Sequence, residues 1–227
     1  MSFWSALRSL VIPVQCIVCT VPDVVLCRVC SDELLLAPRN NPIMVSTLAG
    51  QMSIATKLPF SDEVSRLVLG AKDANNHQLE SVLVDSLRQS RSLFPEGLLL
   101  IPIPSSERAR RARGRDFLFD ICGELARDTK DQVIPLLSLR RKVAPQKSLN
   151  ATDRARNMDG AFRVREDLLS KFHDSLQVNQ ALIVDDVLTT GATMREGYRA
   201  LHRAGARCIG GISAAYSLNW RMYGLAH

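Results

Sequence analysis

Aromatic side chains are scarce in this 227-residue chain, at 5% of positions, so the sequence offers no row of stacking rings for unstacked bases. No stretch approaches the roughly 20 apolar residues that a membrane-spanning helix needs. The segment from Met1 to Val14 has an apolar tint, yet Arg8, Pro13 and the cysteines that follow at once make it a poor signal peptide. Its expected role is an amphipathic lead-in whose Phe3, Trp4, Leu7 and Leu10 cover apolar surface, and the expected location of the protein is cytoplasmic. Two phosphate-binding patterns are missing, Gly-x-x-x-x-Gly-Lys-Ser/Thr and Gly-x-Gly-x-x-Gly, which weakens triphosphatase and dinucleotide readings. His77, His173, His202 and His227 form no recognisable constellation, so no general base stands out. There is no internal repeat and no low-complexity tract.

What is present bounds the architecture. At 46% hydrophobic residues, 227 residues suffice for one sizeable domain plus a small module. The net charge of +6 suits polyphosphate and single-stranded nucleic acid alike. Four of the six cysteines fall in two knuckles, Cys16-x-x-Cys19 and Cys27-x-x-Cys30. Each knuckle can present two sulfurs to one ion, and two complete a closed, tetrahedral, structural Zn²⁺ site of the zinc-ribbon kind. A thioredoxin-like dithiol would show a single Cys-x-x-Cys beside a βαβ unit, and a disulfide framework would need a secretory context. Cys122 and Cys208 sit inside apolar patterns and read as core thiols. The expected division is a zinc module over 1–38, a turn-rich linker, and a larger domain over 43–227, the module folding on its metal and offering a docking surface.

Periodicity gives the larger domain its elements. Residues 43–58 read as two short strands around Ala49 and Gly50, and Ser61-Asp62-Glu63 opens a helix running to Lys72. A second helix is expected over 78–90. Then strand, helix and strand follow: Leu98–Ile103, a helix carrying Phe117, Ile121 and Leu125, and Val133–Leu137. A strand at 180–185, a helix at 193–204 and a strand at 207–215 complete the alternation, which predicts an α/β fold with a parallel sheet flanked by helices.

Residues 181–193 carry the most chemistry. Leu182, Ile183 and Val184 read as a buried strand, and Asp185 and Asp186 are expected at its C-terminal edge, where open α/β sheets bind ligands. Two adjacent carboxylates there can accept hydrogen bonds from vicinal ribose hydroxyls or lie near Mg²⁺. Thr189, Thr190, Gly191, Ala192 and Thr193 then offer hydroxyls and backbone N–H groups to an anion, with Gly191 free to adopt positive φ. Thr193 with Glu196 makes a capping box, so a phosphate would sit at a helix N-terminus. The order of these parts describes a sugar-phosphate site.

Two basic clusters complete the reading. Ile101-Pro102-Ile103-Pro104 precedes Arg108, Arg110, Arg111, Arg113 and Arg115, which would concentrate positive potential at the ligand edge. The second spans 140–162 and reads as a polar lid between strands, with Arg140, Gln146, Arg154 and Asn157.

The 181–193 segment resembles the 5-phosphoribosyl-1-pyrophosphate (PRPP) motif of type I phosphoribosyltransferases, matched position by position. With the knuckles, Lys72, Pro102, Pro104, Arg113, Gly114, Arg140, Gln146, Leu149, Arg154, Asn157, Gly160 and Phe162, the chain resembles over nearly its whole length the ComF family and its GntX relatives. It departs locally: Asp73 stands where that family often has Tyr, and Arg115-Asp116-Phe117 follows the Arg-Gly turn. The resemblance implies a type I phosphoribosyltransferase-like domain with an N-terminal zinc ribbon, competence-associated and linked to DNA uptake. It implies PRPP with Mg²⁺ as ligand, bound by Asp185, Asp186, Val187, Leu188, Thr189 to Thr193, Lys72, Arg108 and Gln146. Asp185, Asp186 and Arg113 would be the catalytic set if transfer to a nitrogen acceptor is retained. The partners it implies are single-stranded DNA and a helicase-type uptake protein.

Overall fold

The computed structural model describes residues 14–36, 43–47, 50–74, 76–140, 158–172 and 180–217. The lead-in, the linker, Gln146 and most of the expected lid lie outside them, as do His173 and His227.

A six-stranded sheet forms the centre. Its strands are β1 (Ile43–Thr47), β2 (Gly50–Pro59), β3 (Leu99–Pro102), β4 (Gln132–Val133), β7 (Ala181–Leu188) and β8 (Cys208–Tyr216), in the order β1-β2-β8-β7-β3-β4. Five strands run parallel, and β1 returns antiparallel on β2 at one edge. The central strands are buried on both faces and accordingly read as continuous apolar runs: Leu99, Leu100, Ile101, Leu182, Ile183 and Val184 are all at most 1% exposed.

Helix α2 (Asp62–Asp73) is capped by the Ser61 hydroxyl, which accepts from Val64 N–H, and α3 (His77–Arg91) by Asn76, whose Oδ1 accepts from Gln78 and Leu79. α3 covers β2 and β8, and α5 (Phe117–Ala126) packs beside it against β3 and β7. α7 (Ala192–Arg203) covers the other face. From β3 the chain crosses through α5 to β4 on one side and later through α7 from β7 to β8 on the other. The strand order therefore reverses between β3 and β7, the position where doubly wound sheets open a crevice at their C-terminal edge.

Several expectations are corrected. The strand read as Val133–Leu137 splits: Pro135 lacks the N–H a ladder needs, so β4 stops at Val133. The chain resumes as β5 (Leu137–Leu139), which pairs antiparallel with β6 (Phe162–Val164) in a separate two-stranded sheet. The end of the expected lid is thus anchored, with Met158, Ala161 and Phe162 buried. β7 continues to Leu188, three residues past its expected end, because β8 remains its partner as far as Tyr216. Three short helices escape the periodicity: α1 (Arg28–Leu36), α4 (Glu107–Arg113) and α6 (Glu166–Lys171). The expected division between the cysteine module and the larger domain is not decided by packing; Cys16, Leu26 and Cys30 belong to the same buried cluster as the sheet residues.

Candidate functional site

The crevice between β3 and β7 is built by a length mismatch. Pro102 pairs with Val184 and Ile103 N–H donates to the Val184 carbonyl, after which β3 turns away while β7 runs on beside β8. Asp185 and Asp186 therefore occupy a stretch of β7 whose other edge has no strand beside it among the described residues. Successive side chains of a strand point to opposite faces. Ile183 packs on Gly197 of α7, so Asp185 faces the α7 side and Asp186 the α2 side.

On that side Lys72, the penultimate residue of α2, forms an ion pair and hydrogen bond with Asp186 Oδ2. Burial pushes the Lys72 ammonium down, but Asp186 outweighs it and keeps Lys72 protonated beyond its usual range. The same pair works on Asp186: burial raises the carboxyl, while Lys72 and the neighbouring Asp185 bring it below the ordinary value. Asp185 is 7% exposed and accepts the Asp186 backbone N–H at 2.9 Å. Burial, reinforced by the adjacent Asp186 charge, holds its carboxyl well above the usual range.

Arg113 closes the crevice from the β3 side. Ser106 caps α4 and Gly114, at φ 72°, ends it with its N–H on the Arg110 carbonyl, a left-handed stop that glycine adopts without a Cβ penalty. This turn delivers Arg113 inward. Its side chain is only 10% exposed, Nη2 donates to Ser105 Oγ at 3.1 Å and Nη1 lies 3.7 Å from Asp73, while the buried Nε has no partner among the described residues. Asp73 and Arg113 thus form a pair at the position where the sequence departs from the ComF pattern.

After β7 the chain bends through Thr189 and Thr190, and Gly191 (φ 70°) is the N-cap of α7. The Thr190 hydroxyl accepts the Ala192 N–H at 3.4 Å, and the first turn of a 12-residue helix points at the space above the crevice. The expected capping box does not form. Thr193 is the second residue of the helix, and Glu196 instead accepts the Phe162 N–H at 2.9 Å and binds Arg199 at 2.6 Å, stitching β6 to α7. Val187 is half-buried and Leu188 buried, so the motif's apolar positions support the turn from below.

Of the arginines expected at the ligand edge, Arg113 alone is drawn inward from α4. Arg115 turns to Glu80 at 2.6 Å, near Asp120 at 3.6 Å, and lies over the Phe117 ring. Arg111 pairs with Glu107, Arg110 lies 3.9 Å from Asp116, and Arg108 is exposed with no ion pair among the described residues. A heptapeptide helix can aim only the side chains three apart at one wall, which separates Arg108 from Arg113. Sequence reasoning missed Glu80 and Asp73 as partners. The signal for both was an acid on a helix ending or starting beside Lys72. A cavity of about 570 Å³ opens on the far side of the Pro102–Ser105 turn, between α4 and β5–β6, lined by Ser105, Arg110, Asp116, Ser138 and Arg163 among others. None of the motif residues lines it.

The four cysteine sulfurs have the spacing of a metal site. A tetrahedral Zn²⁺ with Zn–S near 2.3 Å places its sulfurs about 3.8 Å apart. Cys19 and Cys27 Sγ are 3.7 Å apart, and all four sulfurs lie within 4.8 Å of one another, so the set can hold one ion. Burial raises the Cys16 thiol, but backbone N–H groups led by Cys27 outweigh it and bring it down to about 6, the form a metal takes. Cys122 and Cys208 are not part of this group; burial pushes both up, Cys208 to about 12.

Residues 145–217 match the phosphoribosyl transferase domain family, a span that contains the two acids, the threonine-glycine turn, α7 and β8. A comparison with curated proteins gives no match. The parallel sheet, its crevice and this match together define a phosphoribosyltransferase-like α/β fold carrying a four-cysteine cluster at its N-terminal side. No helix among the described residues is long and apolar enough to cross a membrane.

Proposed function

We propose that the crevice binds PRPP with Mg²⁺, and that the protein serves as a ComF-like accessory in DNA uptake or single-stranded DNA handling. The observation that carries the ligand assignment is Lys72 held on Asp186, five positions before the glycine that caps the α7 N-terminus. Ligand binding is then an exchange of partners. The pyrophosphate draws Lys72 and Arg113, releasing the Asp186 carboxylate to the ribose hydroxyls, while the Thr189–Thr193 turn takes the 5-phosphate. Asp185 and Asp186 would be the carboxylates available to a Mg²⁺ bound with the pyrophosphate, which would supply charge neutralisation there. Structural Zn²⁺ in the cysteine cluster completes the cofactor set. The DNA role rests on the ComF resemblance and the basic charge.

One observation favours an active transferase as a second reading: two cations that would stabilise a leaving pyrophosphate, Lys72 and Arg113, stand with acids that would orient the ribose. Calorimetric titration with PRPP, with and without Mg²⁺, tests the binding site. Pyrophosphate release with a panel of nitrogen acceptors separates the two readings. Absence of PRPP binding with Mg²⁺ present would remove the assignment.

A further inference from the structure

The metal cluster and the crevice share a structural brace. Arg66 on α2 donates from Nε and Nη2 to the Ile17 carbonyl at 3.1 and 2.7 Å, inside the Cys16–Cys19 knuckle. Gln78 in the first turn of α3 donates from Nε2 to the Leu26 carbonyl at 2.5 Å, immediately before Cys27. Both contacts are made by side chains of the larger domain to backbone of the knuckles. Arg66 and Gln78 stand six positions before and six positions after Lys72. Between them the α2–α3 elbow is closed by the Asn76 N–H on the Gly70 carbonyl, and Asp73 reaches Arg113. Arg66 lies about 9 Å from Lys72 along a helix that transmits displacement as a rigid rod.

A knuckle carbonyl is held where the metal holds its cysteines, because the peptide between two ligands has little freedom once both sulfurs are bound. Without metal, the four sulfurs lose their common centre, and the carbonyls of Ile17 and Leu26 lose their fixed positions. The elbow carrying Lys72 is then released at both of its clamped ends. We propose that the four-cysteine knuckle positions Lys72 against Asp186 through Arg66 and Gln78, so that metal binding and PRPP binding are thermodynamically coupled. This rests on the PRPP reading of the crevice. Coupling is reciprocal: if metal strengthens PRPP binding by some factor, PRPP strengthens metal binding by the same factor. Arg66 and Gln78 are positioning residues, since neither touches the crevice.

The test measures the Zn²⁺ dissociation constant of the full chain by competition with a chelating dye, with and without saturating PRPP at fixed Mg²⁺. The expected result is at least threefold tighter Zn²⁺ binding with PRPP, and a loss of PRPP affinity by the same factor in metal-stripped protein. Arg66→Ala combined with Gln78→Ala brings the ratio to one while retaining one Zn²⁺ per chain, and Arg66→Lys, which keeps one donor, restores part of it. Should the double variant lose its metal, the wild-type ratio alone decides. A wild-type ratio of one in protein that binds PRPP overturns the coupling and leaves the crevice assignment intact. Wild-type protein that binds Zn²⁺ and not PRPP removes both.

Discussion

Asp185 and Asp186 are neighbours in one strand and face opposite sides of the sheet, Asp185 buried toward α7 and Asp186 meeting Lys72 from α2. The pair therefore divides its tasks. Asp186 is held charged by Lys72, whereas burial and the adjacent Asp186 charge favour the protonated form of Asp185.

Asp186→Asn should weaken PRPP binding at least tenfold. The substitution keeps the size of the side chain, removes the charge that orders Lys72, and loses a charge-assisted hydrogen bond to ribose worth roughly 1.5–3 kcal/mol, more than a decade in affinity. Thermal unfolding should shift little. Calorimetric titration beside a melting curve checks both, and an unchanged dissociation constant contradicts the role given to Asp186.

Asp185→Asn should trade ligand binding for stability. A carboxyl whose folded value is raised contributes stability that is complete below its ordinary value of 3.8 and lost as pH rises through the folded value. As pH rises the wild type is driven to carry that buried charge; the amide is not, and its Oδ1 can still accept the Asp186 N–H. The melting temperature of the variant should exceed that of wild type at pH 8 by about 2 °C or more, and the difference should shrink toward pH 4. A gap that is absent at pH 8 or widens on acidification would contradict the burial argument.

The motif was legible because strand, acids, turn and helix are contiguous, so local pattern and local chemistry coincide. The partners of the site were not. Lys72 meets Asp186 across 114 positions and Arg115 meets Glu80 across 35, distances over which no periodicity speaks. α4 was invisible for another reason. It buries no apolar residue, so there is no apolar face to read, and only the Ser106 and Gly114 caps announce it. Glu196 shows how tertiary structure overrules a local signature: the buried Phe162 N–H takes the carboxylate that the capping box would have used.

A structural pair offers a control that leaves the crevice alone. Arg91 at the end of α3 binds Asp131 through Nε at 2.7 Å and Nη2 at 2.6 Å, and Asp131 also accepts the Leu98 N–H, tying α3 to the N-terminal ends of β3 and β4. Burial raises the Asp131 carboxyl, yet Arg91 and the Leu98 amide outweigh it and hold it below its ordinary value. Asp131→Ala strands a buried guanidinium and should cost about 3–5 kcal/mol in urea unfolding at pH 7. Because a depressed carboxyl contributes stability above 3.8 that is lost as pH falls through the folded value, the variant should also lack part of the wild-type acid limb. PRPP affinity of the folded variant should stay within about twofold, near 0.4 kcal/mol.

Single-stranded DNA binding, if the accessory reading holds, should fall steeply with salt. Arg108 and Arg111 are exposed on α4, outside the crevice that Arg113 enters. Each arginine that neutralises a phosphate adds about −0.7 to the slope of log affinity against log salt, so the Arg108→Ala, Arg111→Ala double variant should flatten that slope by about 1.4. Arg113→Ala should instead act on PRPP, weakening it at least tenfold, because its guanidinium is nine-tenths buried beside Asp73 and its charge reaches Lys72. Fluorescence anisotropy of a labelled oligonucleotide over a range of salt concentrations measures the slopes. No retention of DNA by the wild type at low salt would contradict direct DNA contact and leave the transferase reading as the stronger account of the crevice.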